Sequence, residues 1–318
     1  MNDAEQDRFM KISTQLLFNR AADQMSIVQN KLADSQAHLA QGKQILKASD
    51  APDQAAVIQR LKSVMSRQES FLSSMVTLRS RLENEDTTLK SASDLLIRAK
   101  EVAVHAANDT LSPVDRKALA KEMQAVRDQL LSLANSKDNN GNFLFAGSRS
   151  KEPAFKIPAP GESPVYQGDQ TKMTVMVGEQ RSIPTNRSGT DAFISLNRPG
   201  STEGSVTGVS FFKVMDDLVS GINNSDDAAM QRGIGEMTDL LNGMSLAHAD
   251  IGTDMNVVDQ QTSVIEDTIL NIKTNLSTVE DLDYADAITK MNQQMLSLEA
   301  AQSSFSKIAQ LTLFNYLK

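Results

Sequence analysis

Apolar side chains recur along two stretches of this chain at spacings that alternate between four and three. Stepping from Val57, the positions are Val57, Leu61, Val64, Gln68, Phe71, Met75, Leu78, Leu82, Glu85, Leu89, Ala92, Leu96, Ala99, Ala103 and Ala106. Thirteen of these 15 are apolar, where a chain of 40% hydrophobic residues would place about six. Stepping from Met230, the positions are Met230, Ile234, Met237, Leu241, Met244, His248, Ile251, Met255, Val258, Thr262, Ile265, Ile269, Ile272, Leu276 and Val279, and again 13 of 15 are apolar. Two runs of this length predict two long coiled-coil helices. Gly233, Gly235, Gly243 and Gly252 weaken the start of the second, where a kink or a delayed start is expected.

Shorter patterns fill in the rest. A third helix is expected from Pro113 to about residue 135, with Leu119, Met123, Val126, Leu130 and Leu133 on one face. Ser112 is placed to cap it, with Pro113 in the first helical position, where a missing N–H costs nothing. Ser49-Asp50-Ala51-Pro52-Asp53 reads as a similar helix start. Asp138-Asn139-Asn140-Gly141-Asn142 stops the third helix in a tight turn, and Phe143-Leu144-Phe145-Ala146-Gly147 is expected to follow as a short strand. Six of the eight prolines lie between Pro153 and Pro199, and none occurs from residue 200 to 318. The stretch 150–205 therefore reads as a small β module with long loops, its strands expected at 172–177, 155–157 and 165–166. The fold class is mainly α with a β insertion: a long antiparallel coiled-coil helical bundle built from both chain ends, with the β module in the middle.

Both ends of the chain are unusually apolar. Residues 10–46 and 284–317 read as helices, and between Ala300 and Leu317 the only charge is Lys307. Ends are normally polar and frayed, so these imply a partner surface. The residues expected to form an assembly interface are Ile12, Leu16, Phe18, Met25, Val28, Leu32 and Leu39 at one end, with Ile288, Met291, Met295, Leu298, Phe305, Ile308, Leu311, Phe314, Tyr316 and Leu317 at the other. The plainer alternative is that the two ends pair only with each other inside one subunit.

Composition narrows the function. Over 318 residues, 32 Lys and Arg face 40 Asp and Glu, a net charge of −8, which argues against a nucleic-acid binder. No cysteine is present, which excludes disulfides, thiolate metal sites and cysteine nucleophiles. With no Trp, three Tyr and 4% aromatics, the core is expected to be largely aliphatic. No stretch is apolar for long enough to span a membrane. The start Met1-Asn2-Asp3-Ala4-Glu5-Gln6-Asp7 is acidic, unlike a cleaved secretory signal. Nine of the 15 methionines fall on the apolar seams, either as plain core filling or as adaptable packing for differently arranged neighbours.

The chemical inventory returns no enzyme. His38, His105 and His248 have no metal-ligand spacing, and no nucleophile elbow or phosphate loop occurs. Asp216-Asp217 and Asp226-Asp227 read as helix-start carboxylates. No catalytic residue, cofactor site or metal site is expected.

Several short motifs carry a family resemblance. Met10-Lys11-Ile12-Ser13-Thr14-Gln15 resembles the start of the hook–filament junction proteins of bacterial flagella, relatives of flagellin. Lys47-Ala48-Ser49-Asp50-Ala51-Pro52-Asp53-Gln54-Ala55-Ala56 resembles that family's link from terminal helix to coiled-coil core. Gly141-Asn142-Phe143-Leu144-Phe145-Ala146-Gly147-Ser148 is similar to its hairpin, and Val165-Tyr166-Gln167-Gly168-Asp169 to the start of its β module. Asp281-Leu282-Asp283-Tyr284-Ala285-Asp286-Ala287 resembles its second link, and Leu313-Phe314-Asn315-Tyr316-Leu317 its terminus. The matches are ordered and run from Met10 to Lys318; residues 1–9 precede the family's usual start and are expected to be a disordered extension.

The resemblance implies a structural, non-enzymatic protein of the extracellular flagellum, secreted unfolded through the flagellar type III apparatus with a cytoplasmic chaperone on its C-terminal helix. It implies a ring of identical copies between the first hook-associated protein and flagellin, with no nucleic acid and no membrane insertion. Residues 10–50 and 283–318 would form the axial assembly domain, 51–150 and 205–282 the coiled-coil core, and 151–204 an outward β module. The terminal helices would be disordered in the free subunit and fold on assembly. Flagellin itself, sharing the terminal architecture, and a type III needle-tip coiled-coil protein are the alternatives.

Overall fold

The computed structural model describes residues 3–178, 181–199 and 206–316, with side chains at Leu16 and from residue 18 to 307 in those segments, Val206 excepted. Helices α1 (Asp3–Gln41), α2 (Pro52–Ala106) and α3 (Pro113–Ala134) come first. Strands β1 (Phe155–Lys156), β2 (Val165–Tyr166), β3 (Thr174–Met176) and β4 (Ser182–Pro184) follow, then a short helix α4 (Gly189–Ala192). Strands β5 (Leu196–Pro199) and β6 (Val206–Val209) lead into α5 (Phe211–Asn224), α6 (Asp227–Glu280) and α7 (Tyr284–Tyr316). The strands pair as three antiparallel hairpins, β1–β2, β3–β4 and β5–β6. The fold is therefore mainly α with a small β module in the middle. The chain divides into two compact units, Met1–Ser66 with Ile269–Lys318, and Arg67–Thr268.

In the second unit the predicted seams are the core. Met75, Leu78, Leu82, Leu89, Ala92, Leu96, Ala99, Ala103 and Ala106 of α2 are buried, as are Met230, Met237, Met244, Ile251, Val258 and Ile265 of α6. Arg79 pairs with Asp259, and Asp86 with His248 at 2.9 Å, so residue numbers rise along α2 as they fall along α6 and the two run antiparallel. α6 is unbroken through its glycines, where a kink was expected. A Cβ at Gly233 would stand 2.6 Å from Leu218 Cδ1, and one at Gly243 2.3 Å from Ile194 Cδ1. These two positions admit close neighbours, which offsets their poor helix propensity.

α3 starts as expected. The Ser112 hydroxyl accepts from Asp115 N–H at 3.2 Å and donates to the Asp115 carboxylate at 2.7 Å. The turn after α3 also forms, with Gly141 at φ 78° and the Asp138 carboxylate accepting from Asn140 and Asn142 N–H. Residues 143–147 are not a strand. They make two isolated bridges, Lys137 to Phe143 and Ala146 to Ser188, and are buried because Phe143, Leu144 and Phe145 serve the core rather than a ladder.

Four elements were not expected, β4, α4, β5 and β6, and α5, within the expected helical core 205–282, begins at Phe211 rather than at Asp216. Asp216 and Asp217 consequently do not start a helix. They sit inside α5, where Asp216 takes Arg127 through two bonds of 2.8 and 3.1 Å and Asp217 takes Arg198 and Lys213. Asp226 does cap α6, accepting from Ala229 N–H at 3.0 Å. The core of this unit is also less aliphatic than expected. Phe145, Phe155, Tyr166, Phe193, Phe211 and Phe212 form one ring cluster, with neighbouring centroids 5.1–5.6 Å apart and mostly edge-to-face. The few aromatics are concentrated where the β module meets α5.

Candidate assembly surface

The other unit is built from α1, the first turns of α2, the last turns of α6, and α7. Its centre is a polar clasp. Gln44 N–H donates to Glu280 carbonyl at 2.7 Å, Leu282 N–H donates to Gly42 carbonyl at 3.0 Å, and Lys43 bridges Asp281. The Glu280 carboxylate receives Lys43 at 2.7 Å and Lys62 at 2.8 Å. Burial alone would raise the Glu280 carboxyl, but the two ammonium groups hold it below its ordinary value. Gly42 has φ 64°, and a Cβ there would lie 2.5 Å from the Tyr284 hydroxyl, so a glycine is required at this bend.

Beyond the clasp, α1 and α7 lie side by side. The α1 start differs from expectation: the helix begins at Asp3, so residues 3–9 continue it, while residues 1 and 2 are outside the described residues. The sequence reading expected these end helices to be disordered in the free subunit. Here both are helical and paired, because each carries a four–three stripe that matches the other.

The expected interface residues divide into two sets. Met25, Val28, Leu32 and Leu39 of α1, with Met291, Leu298 and Phe305 of α7, are half-buried. The rings of Phe18 and Phe305 stand 4.7 Å apart. Leu16, Ile288 and Met295 remain exposed, and Phe18 stays partly so. The side chains of Ile12, Ile308, Leu311, Phe314 and Tyr316, and the whole of Leu317, lie outside the described residues. Two exposed apolar residues fall off the expected seam, Ile27 and Leu296, the latter 68% exposed; Tyr284, four residues before Ile288, continues the seam and is exposed as well. Within α1 and α7, only Ala287 is fully buried among the described side chains. The pairing thus half-buries one face of each helix and leaves Leu16, Ile27, Tyr284, Ile288, Met295 and Leu296 in water.

No described helix is long and apolar enough to cross a membrane, and no group of three metal-ligating side chains occurs among the described residues. The histidines are interhelical or surface groups: His38 Nδ1 lies 2.9 Å from Lys43 carbonyl, and His248 meets Asp86.

Paired terminal helices, an antiparallel helical body and a β insertion between them define a class of protein in which the two chain ends build one end unit together. The chain belongs to the flagellin family. The bacterial flagellin N-terminal helical region matches residues 12–150, and the bacterial flagellin C-terminal helical region matches residues 234–317. Flagellar hook-associated protein 3 of Salmonella typhimurium is 25% identical over 317 residues, covering 96% of this chain and 99% of that protein. A flagellin of Listeria monocytogenes is 23% identical over 304 residues, covering 95% of this chain and 96% of that protein. The solved structure of a flagellar hook-associated protein from Vibrio parahaemolyticus has the same fold, with a TM-score of 0.64, 20% identity, and coverage of 73% of this chain and 100% of that one.

Proposed function

We propose that this chain is a structural subunit of the hook–filament junction of the bacterial flagellum. The end-to-end match with hook-associated protein 3 supports the reading, and the observation that carries the mechanism is the apolar surface left exposed on the paired ends. Leu16, Ile27, Ile288, Met295 and Leu296 stay exposed although the helices that bear them already pair. A surface of that kind is covered by neighbouring subunits, so association and full ordering of the ends are one process. Residues 10–50 and 283–318 act as the axial assembly domain, 51–150 and 205–282 as the coiled-coil core, and 151–204 as the outward module. The partners are further copies of the chain in a ring, the first hook-associated protein below, flagellin above, and an export chaperone on the C-terminal helix before secretion. The role is mechanical, with no catalysis.

The experiment is electron microscopy of cells lacking this chain. Hooks without filaments, with flagellin in the medium, are expected; normal filaments overturn the proposal. The Listeria flagellin match favours a second reading, a filament subunit. Purified protein that grows long filaments by itself would establish that reading instead.

A further inference from the structure

Glu85 is one of two polar residues in the seam from Val57 to Ala106, and its side chain is 1% exposed. Leu82 and Leu89, on the same stripe before and after it, are buried with it. A carboxylate in such a place needs cations. Arg81, on the same helix, places Nε 3.2 Å from Glu85 Oε1, while its Nη2 donates to Leu144 carbonyl at 2.9 Å and its Nη1 lies 3.4 Å from Asp138. The second cation comes from the β module. Arg187, between β4 and α4, brings Nε to 3.9 Å from Glu85 Oε2, too far for a hydrogen bond. That Nε is buried and has no hydrogen-bond partner. The rest of the guanidinium is spent on α6, with Nη2 donating to Asp254 at 2.8 Å and Nη1 3.7 Å from Asp250. A cleft of about 210 Å³, lined by these groups with Lys172 and Asp191, leaves room for the guanidinium to move.

We propose that Glu85 and Arg187 form a proton-controlled latch between the helical core and the β module. With Glu85 neutral, Arg187 rests on Asp254 and Asp250 and its Nε is unsatisfied. With Glu85 charged, the guanidinium moves about 1 Å inward and completes the bond. The step is a change of partner, and the only species exchanged with solvent is the Glu85 proton.

Burial pushes the Glu85 carboxyl up to about 7, against the pull of Arg81 and Arg187. Burial also raises Asp254, against Arg187, with Asp250 adding to the rise. The other charged or titratable groups facing the latch are Asp86 on α2, Asp138 behind Arg81, Lys172 and Asp191 from the β module, and His248 on α6. His248 is bonded to Asp86, the residue after Glu85, so the test includes a His248 variant. A carboxyl whose folded pKa lies above its unfolded value of 4.5 favours folding while protonated. That gain is full below 4.5 and fades as pH rises through about 7.

The full chain is unfolded in urea from about pH 5 to about pH 8 as wild type, E85Q and H248Q. The wild-type unfolding constant is expected to rise at least about tenfold across this range. E85Q should be flat, and H248Q should keep the rise; an E85Q slope equal to wild type overturns the proposal. A second variant, R187Q, removes the moving half and leaves the acid in place. Amide exchange at residues 185–189, corrected for intrinsic rates, should slow several-fold in wild type over the same range and not respond to pH in R187Q. The same response in both chains overturns the latch, whether or not E85Q folds.

Discussion

At the level of single residues, scarcity of a residue type proved a poor guide to its weight. Eleven Phe and three Tyr in 318 residues suggested an aliphatic core, yet Phe193 touches Phe145, Phe155, Phe211 and Phe212 and is fully buried. Its neighbours come from chain positions tens of residues apart, so no local pattern reports the cluster. Phe193→Ala should cost about 3–5 kcal/mol in denaturant unfolding. Glu280 is equally hidden from periodicity: it follows the last seam residue, Val279, and is defined only by Lys43 and Lys62 from elsewhere in the chain. Because these lysines hold its carboxyl below the ordinary value of 4.5, its contribution is present above that value and is lost as pH falls through the folded one. E280Q should therefore be less stable than wild type at neutral pH, and the difference should shrink in acid; a pH series of urea midpoints measures both.

Elements with a sustained apolar period were legible, and those without one were not. α2, α3 and α6 follow directly from four–three spacing, and the Ser112 cap fixes where α3 begins. Ser112→Ala should lower stability by about 1 kcal/mol. The helical core expected over 205–282 did not show α5 as a separate helix, because only fourteen residues carry its stripe before the chain turns at Ser225 into the next one. That turn is unmarked in sequence: Ser225 takes φ 54°, a left-handed conformation usually given to glycine or asparagine. Ser225→Gly should stabilise the fold by about 1 kcal/mol or less, read as a higher urea midpoint. The β5–β6 hairpin was missed for a related reason: Leu196-Asn197-Arg198-Pro199 has neither β-branched residues nor a clear alternation. What places β5 is tertiary, with Arg198 Nε and Nη2 reaching Glu236 of α6 at 2.5 and 2.7 Å.

For the whole molecule, the sequence already pointed to a chain whose two ends build one unit, because both end helices carry apolar stripes. It left open whether they meet each other or another subunit. The structure supports the first as a fact and leaves surface for the second. One stripe of α1 and α7 is half-covered by mutual pairing, and Ile27, Ile288, Met295 and Leu296 are not covered. A unit so thinly buried opens before one with fully enclosed seams. Limited proteolysis of the free subunit should therefore cut within residues 3–41 and 284–316 well before 67–268. Protection of the ends equal to that of the core would count against assembly-coupled ordering.

The central claim is that the exposed apolar surface, rather than the fold of the subunit, makes the junction. It is tested most directly by complementing cells that lack this chain with the double variant M295E/L296E, and quantifying flagellin released to the medium against flagellin held in filaments. Both side chains are exposed, so the purified variant should unfold within about 0.5 kcal/mol of wild type. Hooks without filaments and nearly all flagellin in the medium are expected. Filaments of normal number and length on cells carrying the variant would contradict it.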